Sequence, residues 1–251
     1  MDFKQETVGD ILNSEKEMVL TAADYYGDYF INASEFNHLL NEFLVSADLS
    51  RHIFVAFLSQ LRKHHTLALF SAVRLHHTQS MLNLRQVLES GACAAYGIAN
   101  HNTSDFADLD KDGFLDASKK LSKKRYTWLE ENYSVGALSI KKLKNSINSS
   151  VAHSNIVYAY KHFNFNQDDN KFETPYFDFA EKDHIKTDLW LIGNVALGLL
   201  DLFYGVNKSL NAIKFSDDFI KRLKFLEKQN LELKEEMISK PRFKKYFEKV
   251  K

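Results

Sequence analysis

The stretch that decides the fold is TQSMLNLRQVLESGACAAYGIAN, residues 78–100. Its apolar residues recur at helical spacing, and after Val87 it is apolar on nearly every side. A helix on a protein surface needs only one apolar stripe, so a helix that is apolar all round belongs in an interior. The stretch therefore predicts a central helix around which other helices pack.

Helical spacing of apolar residues continues on both sides of this stretch. Ser14 followed by Glu17 predicts the start of the first helix. Only 2 Pro and 9 Gly in the chain favour long helices over a barrel rich in turns. We predict a mainly α, up-and-down helical bundle over residues 1–210 and a C-terminal amphipathic helix in an extension, 211–251. The other helices are expected at 14–30, 34–44, 50–74, 118–131, 135–153, 181–209 and 216–238.

One interruption has the pattern of strands. Aromatic-rich runs at 156–165 and 172–179 flank a polar loop, which predicts one β-hairpin insertion at about 156–179. Pro175 cannot donate a hydrogen bond to a ladder, so the second run is predicted to be an edge strand.

Composition limits the functions that the chain can have. The formal net charge is +0, so the whole molecule does not attract nucleic acid or an anionic membrane. Cys93 is the one cysteine, which excludes an internal disulfide and a paired-cysteine metal site. The longest apolar run, 189–200, has about 12 residues where a bilayer takes roughly 20. With no secretory signal at residues 1–10, we predict a cytoplasmic protein without membrane contact, metal or cofactor.

Two charged residues interrupt the central helix. Arg85 and Glu89 lie four residues apart and therefore on one face. In an otherwise apolar helix they are expected to be partly buried and to need partners. They form either a structural ion pair or part of a pocket, and the sequence leaves both readings open.

A polar surface ends the helix predicted at 135–153. In KNSINSSVAHSNIVYAY, residues 144–160, helical spacing places Asn145, Ser149 and His153 on one side, away from Ile147 and Val151. A histidine at a helix C-terminus can simply complement the helix dipole. It can also line a site, with the polar residues before it as binding groups.

The chain resembles a known superfamily at this point. Three runs, SAVRLHHTQSMLNLRQVLESGACAAYGIAN (71–100), KKRYTWLEEN (123–132) and IKKLKNSINSSVAHSN (140–155), resemble a group of bacterial helical proteins. That group in turn is similar to the HEPN superfamily (higher eukaryotes and prokaryotes nucleotide-binding), and the likeness covers residues 50–210. The resemblance implies a bundle of four to five helices, often dimeric, and in many members a metal-independent ribonuclease of toxin or phage-defence systems.

The HEPN signature is an arginine that precedes a histidine by four to six intervening residues. His153 fits the histidine, but Ser146, Ile147 and Asn148 occupy the arginine positions and none is basic. We therefore favour a non-catalytic binding or regulatory module with a polar cleft formed by Arg85, Glu89, Asn145, Asn148, Ser149 and His153. The alternative is an RNase-like effector in which His153 transfers a proton and Arg85 holds a phosphate. RNA or a nucleotide is the expected ligand.

Two further segments each allow two interpretations. Asp108–Asp116 matches an EF-hand loop except that Lys119 replaces the bidentate Glu, so it is a calcium loop or an acidic surface loop. A basic run forms either a solvated face or a contact for RNA phosphates. Its members are Lys119, Lys120, Lys123, Lys124 and Arg125, with Lys141, Lys142 and Lys144 nearby in sequence.

The last helix carries a heptad seam with Asn230 at an a position, a device that sets the register of paired helices. The seam consists of Phe219, Leu223, Leu226, Asn230, Leu233 and Met237. It predicts a homodimer joined through residues 219–237. Packing of the seam on the chain's own bundle is the alternative.

Overall fold

The computed structural model describes residues 7–118, 120–151, 159, 163–166, 171–178 and 180–241. The prediction of a mainly α helical bundle is confirmed. The described helices are α1 Val8–Leu20, α2 Ala22–Tyr26, α3 Asp28–Glu42, α4 His52–Val73, α5 His77–Ala99, α6 Leu121–Asn132, α7 Ser134–Ser150, α8 Lys182–Leu210 and α9 Phe219–Ser239. The strands are β1 Leu44–Ala47, β2 Ala107–Leu109, β3 Leu115–Ala117, β4 Asn164–Asn166, β5 Lys171–Glu173 and β6 Ile213–Phe215.

Helix α5 is the predicted central helix and packs against α4, α6, α7 and α8. It approaches α4 closely because Gly97 has no side chain. A Cβ built at Gly97 would lie 3.1 Å from the backbone nitrogen of Phe54. Helix α8 is long and apolar enough to cross a membrane, but most of its apolar stretch is buried by packing on α3, α4, α5 and α9. Its apolarity is that of a core helix.

The N-terminal helices differ from the predicted bounds. The first helix starts at Val8, because Thr7 and Asp10 form a reciprocal capping box. Gly27, at φ +60° and ψ −138°, then separates α2 from α3. The expected helix at 14–30 is therefore divided among α1, α2 and the start of α3. The expected helix at 34–44 corresponds to α3, which begins earlier, at Asp28.

The described residues form three two-stranded antiparallel sheets, where one hairpin was expected. Strands β4 and β5 pair Phe165 with Phe172, which lies inside the expected hairpin. The β2–β3 hairpin was missed because its residues were interpreted as a calcium loop or an acidic surface loop. The β1–β6 ribbon pairs Leu44 with Phe215, a partner too distant in sequence for a local pattern to predict.

Helix α9 packs on the chain's own bundle, against α3 and α8. All six residues of the predicted seam are buried, so the seam was identified correctly but contacts the same chain. The Tyr29 hydroxyl donates to the Leu233 carbonyl at 2.9 Å, and Asn230 Nδ2 donates to Asn194 Oδ1 at 3.1 Å. A homodimer stays a prediction, and it would need another surface or an exchange of α9 between chains.

Candidate functional site

The two charged residues of α5 meet a cation from α7. Arg85 Nη2 lies 3.4 Å and Lys144 Nζ 2.9 Å from the same Glu89 oxygen, Oε1. The side chains of Arg85, Glu89 and Lys144 are 34%, 29% and 17% exposed, so the group is partly shielded from water. The expectation that these charges would be partly buried and paired is confirmed.

Lys144 is also fixed from α6. Its Nζ donates to the Tyr126 hydroxyl at 2.7 Å and lies 4.9 Å from the centre of the Tyr126 ring. A lysine that contacts a carboxylate and a phenol at once has a restricted position. The Tyr126 side chain therefore holds the ammonium between α5 and α6, in addition to the ion pair with Glu89.

Arg125 adds a buried cation from α6. It is 7% exposed, its guanidinium carbon lies 4.6 Å from the Tyr126 ring centre, and its Nη1 donates to the Cys93 sulfur. A thiol is a weak acceptor, and Arg125 has no carboxylate partner in the described part of the chain. Burial raises the pKa of the Cys93 thiol, and the positive charge of Arg125 opposes that rise.

We call Arg85, Glu89, Arg125 and Lys144 the Glu89 cluster. Three positive charges and one negative charge leave a formal excess of two positive charges. Among the described residues, three buried polar atoms at or beside the cluster have no hydrogen-bond partner: Arg85 Nε, Arg125 Nε and Asn148 Oδ1. The two unpaired guanidinium nitrogens are donors, and together with the unbalanced charge they favour an added anionic partner. The Asn148 oxygen is an acceptor and favours a donor instead.

The predicted binding residues of α7 separate into two groups. Asn145 and Ser149 are exposed, and the Ser149 hydroxyl donates to the Ser146 carbonyl of its own helix at 3.0 Å. Asn148 is half-buried and lies one helical turn from Lys144. The structure thus brings Asn148 towards the cluster but leaves Asn145 and Ser149 on the outer side. His153 lies outside the described residues, so its predicted catalytic role stays a prediction.

Lys144 and Arg125 were missed as site residues because both stand in basic runs that resemble solvated faces. A signal was present in each helix. Arg125 falls four residues before the buried Leu129, and Lys144 falls three before the buried Ile147. Each basic residue therefore shares the apolar side of its helix, where a charge needs a partner.

The remaining basic run is not a uniform face. Lys120 and Lys123 are exposed, Lys124 forms an ion pair with Asp105, and Arg125 is buried. The hydrogen bond from Lys124 holds the pKa of the Asp105 carboxyl below its usual value. The predicted solvated or RNA-contacting face is therefore reduced on α6 to its first turn.

The EF-hand-like segment forms the β2–β3 hairpin. Asp110 Oδ1 accepts hydrogen bonds from the backbone nitrogens of Asp112 and Phe114 at 2.9 and 2.8 Å, and Gly113 has φ +82°. The carboxylate that would be a calcium ligand closes the turn instead. Within the described ranges, no group of three or more His, Cys, Asp or Glu could hold a metal ion.

No protein family, curated protein or solved structure matches the chain. The resemblance to HEPN proteins therefore stays a prediction.

Proposed function

We propose that the chain is a non-catalytic binding module whose ligand is anionic and binds at the Glu89 cluster. The observation that supports this proposal is the convergence of two cations, Arg85 and Lys144, on the partly buried Glu89 carboxylate, with a third cation, Arg125, buried against Cys93 and Tyr126. Burying charge without enough counter-charge costs free energy. A bound anion offsets that cost, so the cluster favours a negatively charged partner.

A phosphate group suits the side chains available. Guanidinium groups bind phosphate oxygens with two parallel hydrogen bonds, and an ammonium adds a point charge. Lys141 and Lys142 are exposed on α7, and this helix has no acidic residue. They attract a polyanion towards the cluster. The proposed ligand is therefore a nucleotide or single-stranded RNA.

The test is calorimetric titration of the full chain with inorganic phosphate, a mononucleotide and single-stranded RNA. Lys144→Ala is expected to weaken binding by about tenfold or more, because each tenfold step needs only 1.4 kcal/mol. Lys228→Ala is the matched control, since Lys228 is an exposed lysine of α9, a helix that packs on α3 and α8. Equal affinity in the two variants, or no binding of any ligand at millimolar concentration, would contradict the proposal.

The alternative is the RNase-like effector. Its support is that Arg85 and Lys144 contact the same Glu89 oxygen. Arg85 therefore lies close to α7, the helix that precedes His153 in the chain. Incubation of a mixed RNA pool with the wild type and with His153→Ala separates the two functions. We expect an intact pool in both samples. Cleavage by the wild type that His153→Ala abolishes would establish the effector instead.

A further inference from the structure

The Glu89 carboxylate occupies the position that a ligand anion would take. Arg85 and Lys144 both direct a nitrogen at Glu89 Oε1, at 3.4 and 2.9 Å. The Lys144 contact has the length of the charge-assisted hydrogen bond that the same ammonium would form with a phosphate oxygen, and the Arg85 nitrogen lies within ion-pair distance of the same point. The cluster is therefore already occupied by an anion that belongs to the protein.

Two of the three cations, Lys144 and Arg125, have contacts that do not involve Glu89. The Lys144 ammonium remains bound to the Tyr126 hydroxyl at 2.7 Å. The Arg125 guanidinium remains over the Tyr126 ring and against Cys93. Removing the carboxylate thus leaves a preformed pair of donors, and a preformed site loses little entropy when a ligand binds.

Glu89 itself is free to leave. Its side chain is 29% exposed, and that of Arg85 is 34% exposed, so solvent reaches this end of the cluster. Glu89 lies in the middle of α5, where a rotation of the side chain moves the carboxylate outward without a change of backbone. No hydrogen bond from a backbone amide holds the carboxylate in place among the described contacts.

We propose that Glu89 is a built-in competitor, whose carboxylate a ligand phosphate must displace in order to bind. This inference rests on the proposed function, since it describes how the same cluster is regulated. Displacement exchanges an anion of one charge for a phosphate of up to two charges, against a cluster with three cations. A terminal phosphate monoester therefore competes with Glu89 more effectively than a singly charged phosphodiester.

The experiment titrates inorganic phosphate into the wild type, Glu89→Gln and Glu130→Gln. Glutamine keeps the shape of the side chain and removes its charge. We expect Glu89→Gln to bind phosphate about tenfold more tightly than the wild type or better. Glu130→Gln is the matched control, because Glu130 is an exposed carboxylate 3.6 Å from Lys141, outside the cluster. It is expected to leave phosphate affinity unchanged.

The outcomes separate the two proposals. If the wild type binds phosphate, Lys144→Ala does not, and Glu89→Gln binds no more tightly than the wild type, the competitor role is overturned while the binding function stands. If no form binds phosphate, the proposed function fails and the competitor role with it. Glu89→Met is a second neutral variant, and circular dichroism shows which variant retains the helical fold.

Discussion

Lys144 Nζ lies 2.9 Å from Glu89 Oε1, and this partly buried contact joins α7 to α5. Glu89 belongs to the central helix, and Lys144 belongs to the helix that precedes His153 in the chain. The contact therefore affects both the packing of α7 and the charge of the candidate site.

We predict that Lys144→Met lowers the free energy of unfolding by about 1–3 kcal/mol, because it leaves a partly buried carboxylate with Arg85 as its remaining ionic partner. Urea unfolding followed by circular dichroism measures the change. Lys141→Met is the control, since Lys141 and Glu130 are both more than half exposed. An exposed pair contributes about 0–1 kcal/mol, so equal losses in the two variants would show that the Lys144 contact is an ordinary surface pair.

Truncation of the α9 seam should destabilise the bundle. Leu226 is 3% exposed, whereas Leu231, on the same helix, is 53% exposed. We expect Leu226→Ala to cost about 2–5 kcal/mol through lost burial and a cavity. Leu231→Ala should change the free energy of unfolding by no more than about 0.5 kcal/mol. A small effect at Leu226 would mean that α9 does not pack on its own chain in solution.

Light scattering addresses the predicted homodimer separately. The chain has a mass of 29.0 kDa, and a dimer has twice that mass. Because α9 fills part of the core, a chain ending near Asn211 is expected to lose solubility or to unfold, so the full-length protein is the sample to measure. A monomeric mass at all concentrations would rule out the homodimer.

Acid should destabilise the protein through His65. This side chain is fully buried, with Nδ1 2.9 Å from Asn37 Oδ1 and Nε2 3.3 Å from the Ile192 carbonyl oxygen. Burial lowers its pKa from 6.5 to about 4. The unfolded chain therefore binds a proton that the folded chain does not bind, and stability that is fully present above pH 6.5 falls as the pH drops towards 4.

The expected loss from His65 is about 3 kcal/mol over that range. Unfolding free energies measured between neutral pH and pH 4 test it, with His65→Gln compared with His52→Gln, where the histidine is exposed. The pH dependence should weaken in His65→Gln and persist in His52→Gln. The same slope in both variants would assign the acid effect to other groups.

Substitution of alanine for two glycines in core helices should change the free energy of unfolding in opposite directions. A Cβ at Gly97 would press on the Phe54 backbone, which cannot move aside as a flexible side chain can. Gly97→Ala is expected to cost about 1–3 kcal/mol. A Cβ at Gly198 meets nothing within 4 Å, so Gly198→Ala should stabilise α8 by about 0.4–1 kcal/mol. Thermal unfolding measures both, and a stabilised Gly97→Ala would refute the close α4–α5 approach.

The long helices were predictable because a repeated apolar pattern marks both their length and their buried side. The expected helix at 78–100 is α5, His77–Ala99, and the expected helix at 181–209 is α8, Lys182–Leu210. The seam of α9 was equally visible. Its partner was not, because a heptad describes one face of a contact and not the chain that supplies the other face.

The site was predictable only in part. Arg85 and Glu89 stood out because they are charges in an apolar helix. Lys144 and Arg125 did not, because lysine and arginine near other basic residues have the composition of a solvated face. Their inward orientation depends on how α6 and α7 rotate against α5. That rotation is a tertiary property, which the spacing within one helix constrains but does not determine.

The pairing of Leu44 with Phe215, together with the docking of α9 on α3, has a consequence for synthesis of the chain. The surface of α3 that α9 covers and the edge of β1 that β6 pairs with stay open until residues 213–239 have been synthesised. A nascent chain therefore exposes apolar surface while α4 to α8 are synthesised, and such surface is prone to aggregation until α9 covers it.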